Sequence, residues 1–335
     1  MSFALIKSKK FHSLLGMLVS LGLIAFLVKQ LDWHEVAAHL ATVRYMAFVP
    51  CLAIFVAHYV LRAWRWRYLL PHAEVGEAAP LSGLLNAIML GNFATYILPL
   101  RAGEFVRPYM LSRTKSHSFS VAFVSVVVER FFDLAAVLFS FGLMLLYLQG
   151  IPSWVHKGAL ALSLVAVAIL FFIVLGALFP SSISALIDTL SGFLPKNIGR
   201  PIAHILKELL RGALVLRNFK NLLMVILLTA AVWLSCYYLS FMLFALFDIQ
   251  GSFWMALSIT VIIALSVAAP SAPGFLGVYQ VACVAGFAIF GVNQELAASF
   301  AIVTHLFHYL IFLSYGSIFL LRSRLTLADL KHSAA

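Results

Sequence analysis

Apolar runs of roughly 17–30 residues recur along the whole chain, and they constrain its fold more than any other feature. A helix needs about 20 such residues to cross the hydrocarbon core of a bilayer. Hydrophobic residues fill 63% of the 335 positions and charged residues only 10%, so a water-soluble globule would lack the polar side chains to cover its surface. The sequence therefore predicts an all-α, polytopic membrane helix bundle, with 1–335 as a single transmembrane domain.

The positions of the runs predict the order of the elements. Full spans are expected over 11–28, 46–64, 119–148, 157–179, 221–247 and 295–321. The first is expected to be an uncleaved transmembrane helix, because no small-residue cleavage site follows it; a cleaved signal peptide is the alternative. Residues 29–45 have the spacing of an interfacial amphipathic helix.

Basic residues outnumber acidic ones by 23 to 12, but they are dispersed among short loops. That distribution favours membrane topology over nucleic-acid binding, and it predicts cytoplasmic N- and C-termini in a bacterial-type plasma membrane. Residues 180–220 carry six basic and two acidic residues, so we expect an amphipathic cytoplasmic link there. It would join two halves, about 1–179 and 221–335.

A charged, proline-flanked stretch interrupts the apolar sequence at 98–108. Its second part, 102–112, is too short to cross a bilayer that requires about 20 helical residues, so we predict a re-entrant pair over 81–112 that opens to the cytoplasm. A second proline- and glycine-rich break at 270–274 separates the short runs 253–269 and 275–290, which predicts a pair that opens to the outside. Broken segments at corresponding positions of two halves fit an inverted repeat with a substrate site near the midplane. Misjudged short runs are the alternative.

The chemistry of the first break favours an anion. Gly103 and Glu104 would begin a helix whose N–H groups attract negative charge, and Arg101 and Arg107 are suited to phosphate oxygens. The predicted substrate-binding residues are Arg101, Gly103, Glu104, Arg107, Glu129, Arg130, Asp133, Pro270, Ser271, Pro273 and Gly274. A purely structural ion-pair network of the same charged residues is the alternative.

Two further groups have weaker signals. Alternating aromatic and basic residues predict headgroup-level anchoring, or a plain topology anchor, by Arg62, Trp64, Arg65 and Trp66. His305 and His308 share a helix face, where polar lining or helix–helix hydrogen bonding is favoured over a metal site. No metal, cofactor, nucleotide-binding or catalytic motif is evident, so we expect neither a cofactor nor an enzyme.

Four motifs in this order resemble those of the flippase-like integral membrane family that includes the transmembrane part of lysylphosphatidylglycerol synthase. They are Arg62-Ala63-Trp64-Arg65-Trp66, residues 98–104 with Arg107-Pro108, residues 128–133, and residues 270–277. The resemblance implies a lipid translocase. Because the sequence ends at Ala335 without an aminoacyl-transferase domain, we expect no lysyl-lipid synthesis.

The predicted function is therefore a flippase or scramblase that moves a membrane phospholipid, or another lipid-linked anion, downhill or with ion coupling. An integral membrane enzyme acting on lipid phosphates or lipid-linked sugars is the first alternative, with Glu129 or Asp133 as acid or base. A secondary transporter of a small solute or ion is the second. The sequence leaves the oligomeric state open, with a homodimer among the options.

Overall fold

The computed structural model describes residues 9–71, 79–99, 101–114, 116–148, 153–269 and 271–323, and no β-strand occurs among them. The α-helices are α1 Lys9–Gln30, α2 Trp33–Ala41, α3 Phe48–Leu69, α4 Leu81–Ile97, α5 Gly103–Ser112, α6 Phe119–Tyr147, α7 Ser153–Leu178, α8 Pro180–Gly192, α9 Lys196–Ala213, α10 Phe219–Leu243, α11 Phe253–Ser266, α12 Val278–Ala288 and α13 Gln294–Arg322. Short 3₁₀ turns precede α3, follow α9 and α10, and precede α12. The all-α fold class is confirmed.

Helices cover all six predicted full spans. Four are long and apolar enough to cross a membrane: Tyr45–Leu69, Leu160–Leu178, Phe219–Leu246 and Gln294–Arg322. A further span results if α1 and α2, which meet at 90°, are counted as one broken helix. The helix α6, with 29 residues, is also long enough but carries three charged residues near its middle. The right-angle bend gives α2 the direction that a helix along a membrane surface requires.

Side chains that cap the first turns explain several helix starts. The carboxylate of Asp32 accepts a hydrogen bond from the His34 backbone amide at 2.8 Å and thereby caps the N-terminus of α2. The hydroxyl of Ser118 and the side-chain oxygen of Asn293 take the same position before α6 and α13. Each cap satisfies a backbone N–H that the helix itself leaves without a partner.

The chain forms two compact units, each made of separate stretches of sequence. Unit 1 comprises Met1–His58, Ile88–Val106 and Leu234–Ala335, and unit 2 comprises Tyr59–Ala87 and Arg107–Trp233. The predicted halves therefore do not coincide with the compact units. The predicted inverted repeat stays a prediction.

Aromatic packing forms much of the core of unit 1. The rings of Phe287 and Phe300 lie 5.0 Å apart, and Phe244 contacts both. In unit 2, Gly212 on α9 packs directly against Val124 of α6, and a Cβ at Gly212 would overlap the valine side chain. The predicted amphipathic link is two helices, α8 and α9, joined by an ion pair of 2.7 Å between Lys207 and Asp188.

Candidate functional site

The first break separates α4 from α5 in unit 1. The helix α4 ends at Ile97, and α5 begins at Gly103. A Cβ atom at Gly103 would overlap the Gly91 carbonyl oxygen and the Thr95 hydroxyl, so the close approach of the two helices requires glycine. Arg101, one of the residues between these helices, has a left-handed backbone with φ 55°. The break predicted from the sequence is confirmed.

The second break, also in unit 1, follows α11 and is held by two glycines. Gly274 has φ 65° and Gly277 has φ 82°, conformations that residues with a Cβ rarely adopt. A side chain at Gly274 would overlap the hydroxyl of Tyr309, which donates a hydrogen bond to the Pro273 carbonyl at 3.1 Å. The break therefore combines a backbone conformation and a close approach that both depend on Gly274.

His305 of α13 fastens this second break through its two ring nitrogens. Its Nε2 donates to the Gly274 carbonyl at 2.8 Å, a direction assigned from the acceptor. Its Nδ1 then accepts from the Gln280 amide at 2.9 Å, while the Gln280 oxygen accepts from the Gly277 N–H at 2.8 Å. These are the helix–helix hydrogen bonds that the sequence favours for His305, and they restore partners to backbone groups freed by the break.

The two breaks meet at Arg101. Its guanidinium donates to the carbonyl of Val267, the residue that follows α11, and lies 5.5 Å from the ring centroid of Phe275 in the second break. Tyr96, at the end of α4, also contacts Phe275, with ring centroids 6.3 Å apart. The Arg101 residue is exposed, and the C-terminal carbonyls of α11 favour a cation at this point.

A separate cluster in unit 2 is centred on Glu129, whose side chain is 0% exposed. Arg107 donates to both carboxylate oxygens, at 3.0 and 2.6 Å. Arg65 donates to the same group at 2.8 Å and Arg130 at 3.3 Å, while a nitrogen of Arg62 lies 3.9 Å away. Glu129 thus ties α3, α5 and α6 together within this unit.

Asp133 forms the second acidic centre of the cluster. It accepts from Arg65 at 2.6 Å and from the Trp233 indole at 3.2 Å, and Arg130 lies 3.4 Å away. The neighbouring Trp66 donates to Ser125 at 2.8 Å. Hydrogen bonding thus holds both carboxylates between the helices of unit 2.

Among the described residues, four arginines face two carboxylates in this cluster, which gives it an excess of positive charge. The side chain of Arg65 is 0% exposed and that of Arg107 only 4%, and the Nε of each has no hydrogen-bond partner in the part of the chain that the structure describes. The guanidinium of Arg107 instead lies 4.1 Å from the Trp66 ring. The side chain of Arg130, at 41% exposed, is the most open of the four.

The structure groups the predicted substrate-binding residues by unit. Unit 2 brings together Arg107, Glu129, Arg130 and Asp133. Unit 1 holds Arg101, Gly103, Glu104, Ser271, Pro273 and Gly274. Pro270 lies outside the described residues.

The predicted headgroup-anchoring residues are not all at a surface. The helix α3 was expected to end at Trp64 but continues to Leu69, so the whole motif is helical. Trp64 is 45% exposed, whereas Arg65 and Trp66 are fully buried. Anchoring by buried Arg65 and Trp66 is therefore not what the structure shows. The apolar Tyr68 and Leu69 after Arg67 were a sequence signal that the helix continues past Trp64.

Comparison with known proteins agrees with this architecture. Residues 13–316 match the family described as the lysylphosphatidylglycerol synthase TM region. The chain belongs to this family. The resemblance predicted from the four motifs is thus confirmed, and with the apolar helices it identifies a multi-pass membrane protein.

Two relatives differ in how much of their length is similar to this chain. A UPF0104 membrane protein of Methanothermobacter thermautotrophicus is 24% identical over 285 residues, covering 82% of this chain and 83% of the relative. Glycosyltransferase AglD of Haloferax volcanii is 28% identical over 122 residues, or 36% of this chain, and the match spans only 19% of that protein's length. No solved structure matches the chain.

Proposed function

We propose that this protein is a lipid translocase, a flippase or scramblase that moves a lipid with a phosphate-bearing headgroup between the leaflets of a cell membrane. The observation that carries the proposal is Arg101, an exposed cation where the two helix breaks meet. Charged side chains inside membrane segments are costly, and they typically mark substrate or ion pathways. The family is named after an enzyme whose product is a phospholipid, which supports a lipid as the substrate.

The geometry around Arg101 is suited to a phosphate group. A guanidinium offers five N–H donors in a plane, and phosphate oxygens accept two of them in parallel. The bond to the Val267 carbonyl and the Phe275 ring orient the guanidinium. A headgroup at Arg101 would thus bind at the breaks while the acyl chains stay in the bilayer.

The cluster around Glu129 has a different role in this proposal. Both terminal nitrogens of Arg107 donate to Glu129, and its side chain is nearly buried, so Arg107 is less available to a headgroup than was predicted. We assign Arg65, Arg107, Glu129 and Asp133 to holding the helices of unit 2 together. Arg130 also pairs with Glu129 and Asp133, and its side chain is the most exposed of the four arginines.

The test uses the purified protein in liposomes that contain a fluorescent phospholipid. The protein should accelerate movement of the probe between leaflets, and Arg101→Ala should slow that movement about tenfold or more, because a hydrogen bond to a charged group contributes about 1.5–3 kcal/mol. Equal rates with and without protein would overturn the proposal.

Arg44→Ala is the matched control for this experiment. Arg44 is another exposed arginine of unit 1, paired with Asp248 at 3.0 Å, and it lies away from both breaks in the sequence. Its removal should leave the rate nearly unchanged. If both variants lose activity equally, the effect reflects a general loss of positive charge rather than binding at the breaks.

The second candidate is an integral membrane enzyme that acts on lipid phosphates or lipid-linked sugars. It is favoured by the partial similarity to a protein named a glycosyltransferase. The expected acid–base group Glu129 is fully buried and accepts hydrogen bonds from three arginines, which leaves it poorly placed to reach a substrate. Mass spectrometry of lipids incubated with the protein distinguishes the two functions, since a translocase leaves the molecules chemically unchanged.

A further inference from the structure

An apolar cavity of about 480 Å³ lies in unit 2 among α6, α7, α8 and α9. Its walls include Phe131 of α6, Phe172 of α7, Ile187 of α8 and Leu209 of α9, and all the lining residues that the structure describes are apolar. Two of its helices, α8 and α9, form the amphipathic link rather than a membrane span. A cavity of this composition excludes polar ligands and suits a hydrocarbon chain.

A basic stripe borders the cavity on α9. Arg200, Lys207 and Arg211 are separated by seven and four residues, a spacing that places them along one side of a helix. The cavity-lining Leu206 and Leu210 directly precede Lys207 and Arg211 in sequence, so the stripe flanks the apolar face. Arg200 is exposed, and the side chain of Arg211 is 72% exposed.

The charges of this segment remain positive after its own ion pairs are counted. Lys207 contacts Asp188 at 2.7 Å, and Arg211 contacts Glu208 at 2.6 Å. Residues 180–220 nevertheless contain six basic and only two acidic residues. Basic residues along the edge of an apolar helix face attract the anionic headgroups of a membrane.

We propose that this cavity and stripe form a binding site for an anionic phospholipid, distinct from the site of translocation. One acyl chain lies in the cavity, and the anionic headgroup lies along the stripe of Arg200, Lys207 and Arg211. The site belongs to unit 2, whereas Arg101 belongs to unit 1. The inference depends on the chain being a membrane protein and does not depend on lipid translocation.

The acyl-chain part is tested with phosphatidylglycerol that carries a photoreactive diazirine near the end of its chain. After irradiation of the full-length protein in liposomes, mass spectrometry should locate cross-links on cavity residues of α6, α7 and α9. Ala168→Trp fills the cavity and should reduce these cross-links about tenfold, since a bulky ring and a chain cannot share the same volume. Val167→Trp is the matched control, because Val167 is 61% exposed and does not line the cavity.

The headgroup part compares two probes with the same chain. The combined substitution Arg200→Gln, Lys207→Gln and Arg211→Gln should lower labelling by the phosphatidylglycerol probe about tenfold while changing labelling by a phosphatidylcholine probe little. Arg217→Gln with Lys220→Gln removes basic residues of the same link beyond α9 and should have little effect.

Three outcomes would overturn this inference. Cross-links confined to residues outside the cavity would show that no chain binds there. Equal labelling by both probes would reduce the site to a nonspecific contact with bilayer lipid. Labelling that stays unchanged in Ala168→Trp, when its thermal unfolding curve matches that of Val167→Trp, would show that the chain lies outside the cavity. A failed translocation assay with Arg101→Ala leaves each of these measurements unaffected.

Discussion

Glu129 is a single buried carboxylate on which the charge balance of several helices depends. It accepts hydrogen bonds from Arg65, Arg107 and Arg130 with its side chain 0% exposed. Removing one partner from a buried ionic network leaves uncompensated charge, which costs far more than the loss of a surface pair. This residue therefore has a measurable structural role that is separate from the binding proposed at Arg101.

We expect Glu129→Gln to lower the free energy of unfolding by about 3–5 kcal/mol, because buried Arg65 and Arg107 lose their compensating charge. The substitution preserves size, so packing changes little. Thermal unfolding of the detergent-solubilised protein, followed by tryptophan fluorescence, measures the shift.

Asp248→Asn is the control for this prediction. It neutralises a carboxylate whose partner Arg44 is also exposed, with side chains 59% and 62% accessible, and such surface pairs contribute about 0–1 kcal/mol. A shift of the same size in both variants would contradict the role assigned to Glu129.

Local spacing predicted part of this cluster and missed the rest. Glu129, Arg130 and Asp133 are neighbours on one helix, so their proximity follows from the helical repeat alone. Arg65 is 64 residues from Glu129 in sequence, and its aromatic surroundings suggested a membrane interface. Its burial depends on how α3 and α6 pack, which one sequence without related sequences does not reveal.

At the scale of the elements, the first break depends on how closely α5 approaches α4. Gly103→Ala should destabilise the protein, because the new Cβ would overlap the Gly91 carbonyl oxygen and the Thr95 hydroxyl. Backbone cannot move aside as a flexible side chain does, so we expect a loss of about 1–3 kcal/mol, as for other overpacked sites. Chemical or thermal denaturation in detergent measures it.

Gly22→Ala provides the opposite expectation on α1. A Cβ there meets no atom within 4 Å, so the substitution only improves helix propensity and should stabilise by about 0.5–1 kcal/mol. If Gly103→Ala also stabilised the protein, this would contradict the close approach of α5 to α4 at the break.

Helix positions were the most predictable feature, because the bilayer requires long apolar segments with all backbone groups bonded internally. Breaks were also visible, since Pro99 and the 270–274 stretch cannot continue a helix. The ends of helices were less predictable: α3 continues past Trp64 because Arg65 and Trp66 find buried partners there. The sequence thus placed Arg65 and Trp66 at the membrane interface, whereas the structure buries both side chains inside the protein.

At the scale of the whole molecule, the two compact units do not follow the division of the chain into sequence halves. Sequence suggested two halves separated by the link at 180–220, whereas unit 1 combines segments from both ends of the chain and unit 2 lies between Tyr59 and Trp233. Long-range packing decides such a division, and it leaves no local pattern in the sequence. What the sequence does constrain at this scale is orientation, through the distribution of its basic residues.

The orientation gives a prediction that involves the entire chain. Among basic residues, only Lys29, Arg44 and Lys157 are expected outside, whereas the link 180–220 carries six and is expected inside.

His34 and His204 are both exposed and belong to the two opposite sides under this topology. With the native cysteines replaced by alanine, His34→Cys in intact cells should react with a membrane-impermeant maleimide, whereas His204→Cys should react only after permeabilisation. The reverse pattern would show that the chain is inserted in the opposite orientation. Labelling of both sites in intact cells would mean that His34 and His204 lie on the same side, which contradicts the odd number of spans predicted between them. The same two histidines serve as mutual controls, because each substitution removes an equivalent side chain from an exposed helix surface.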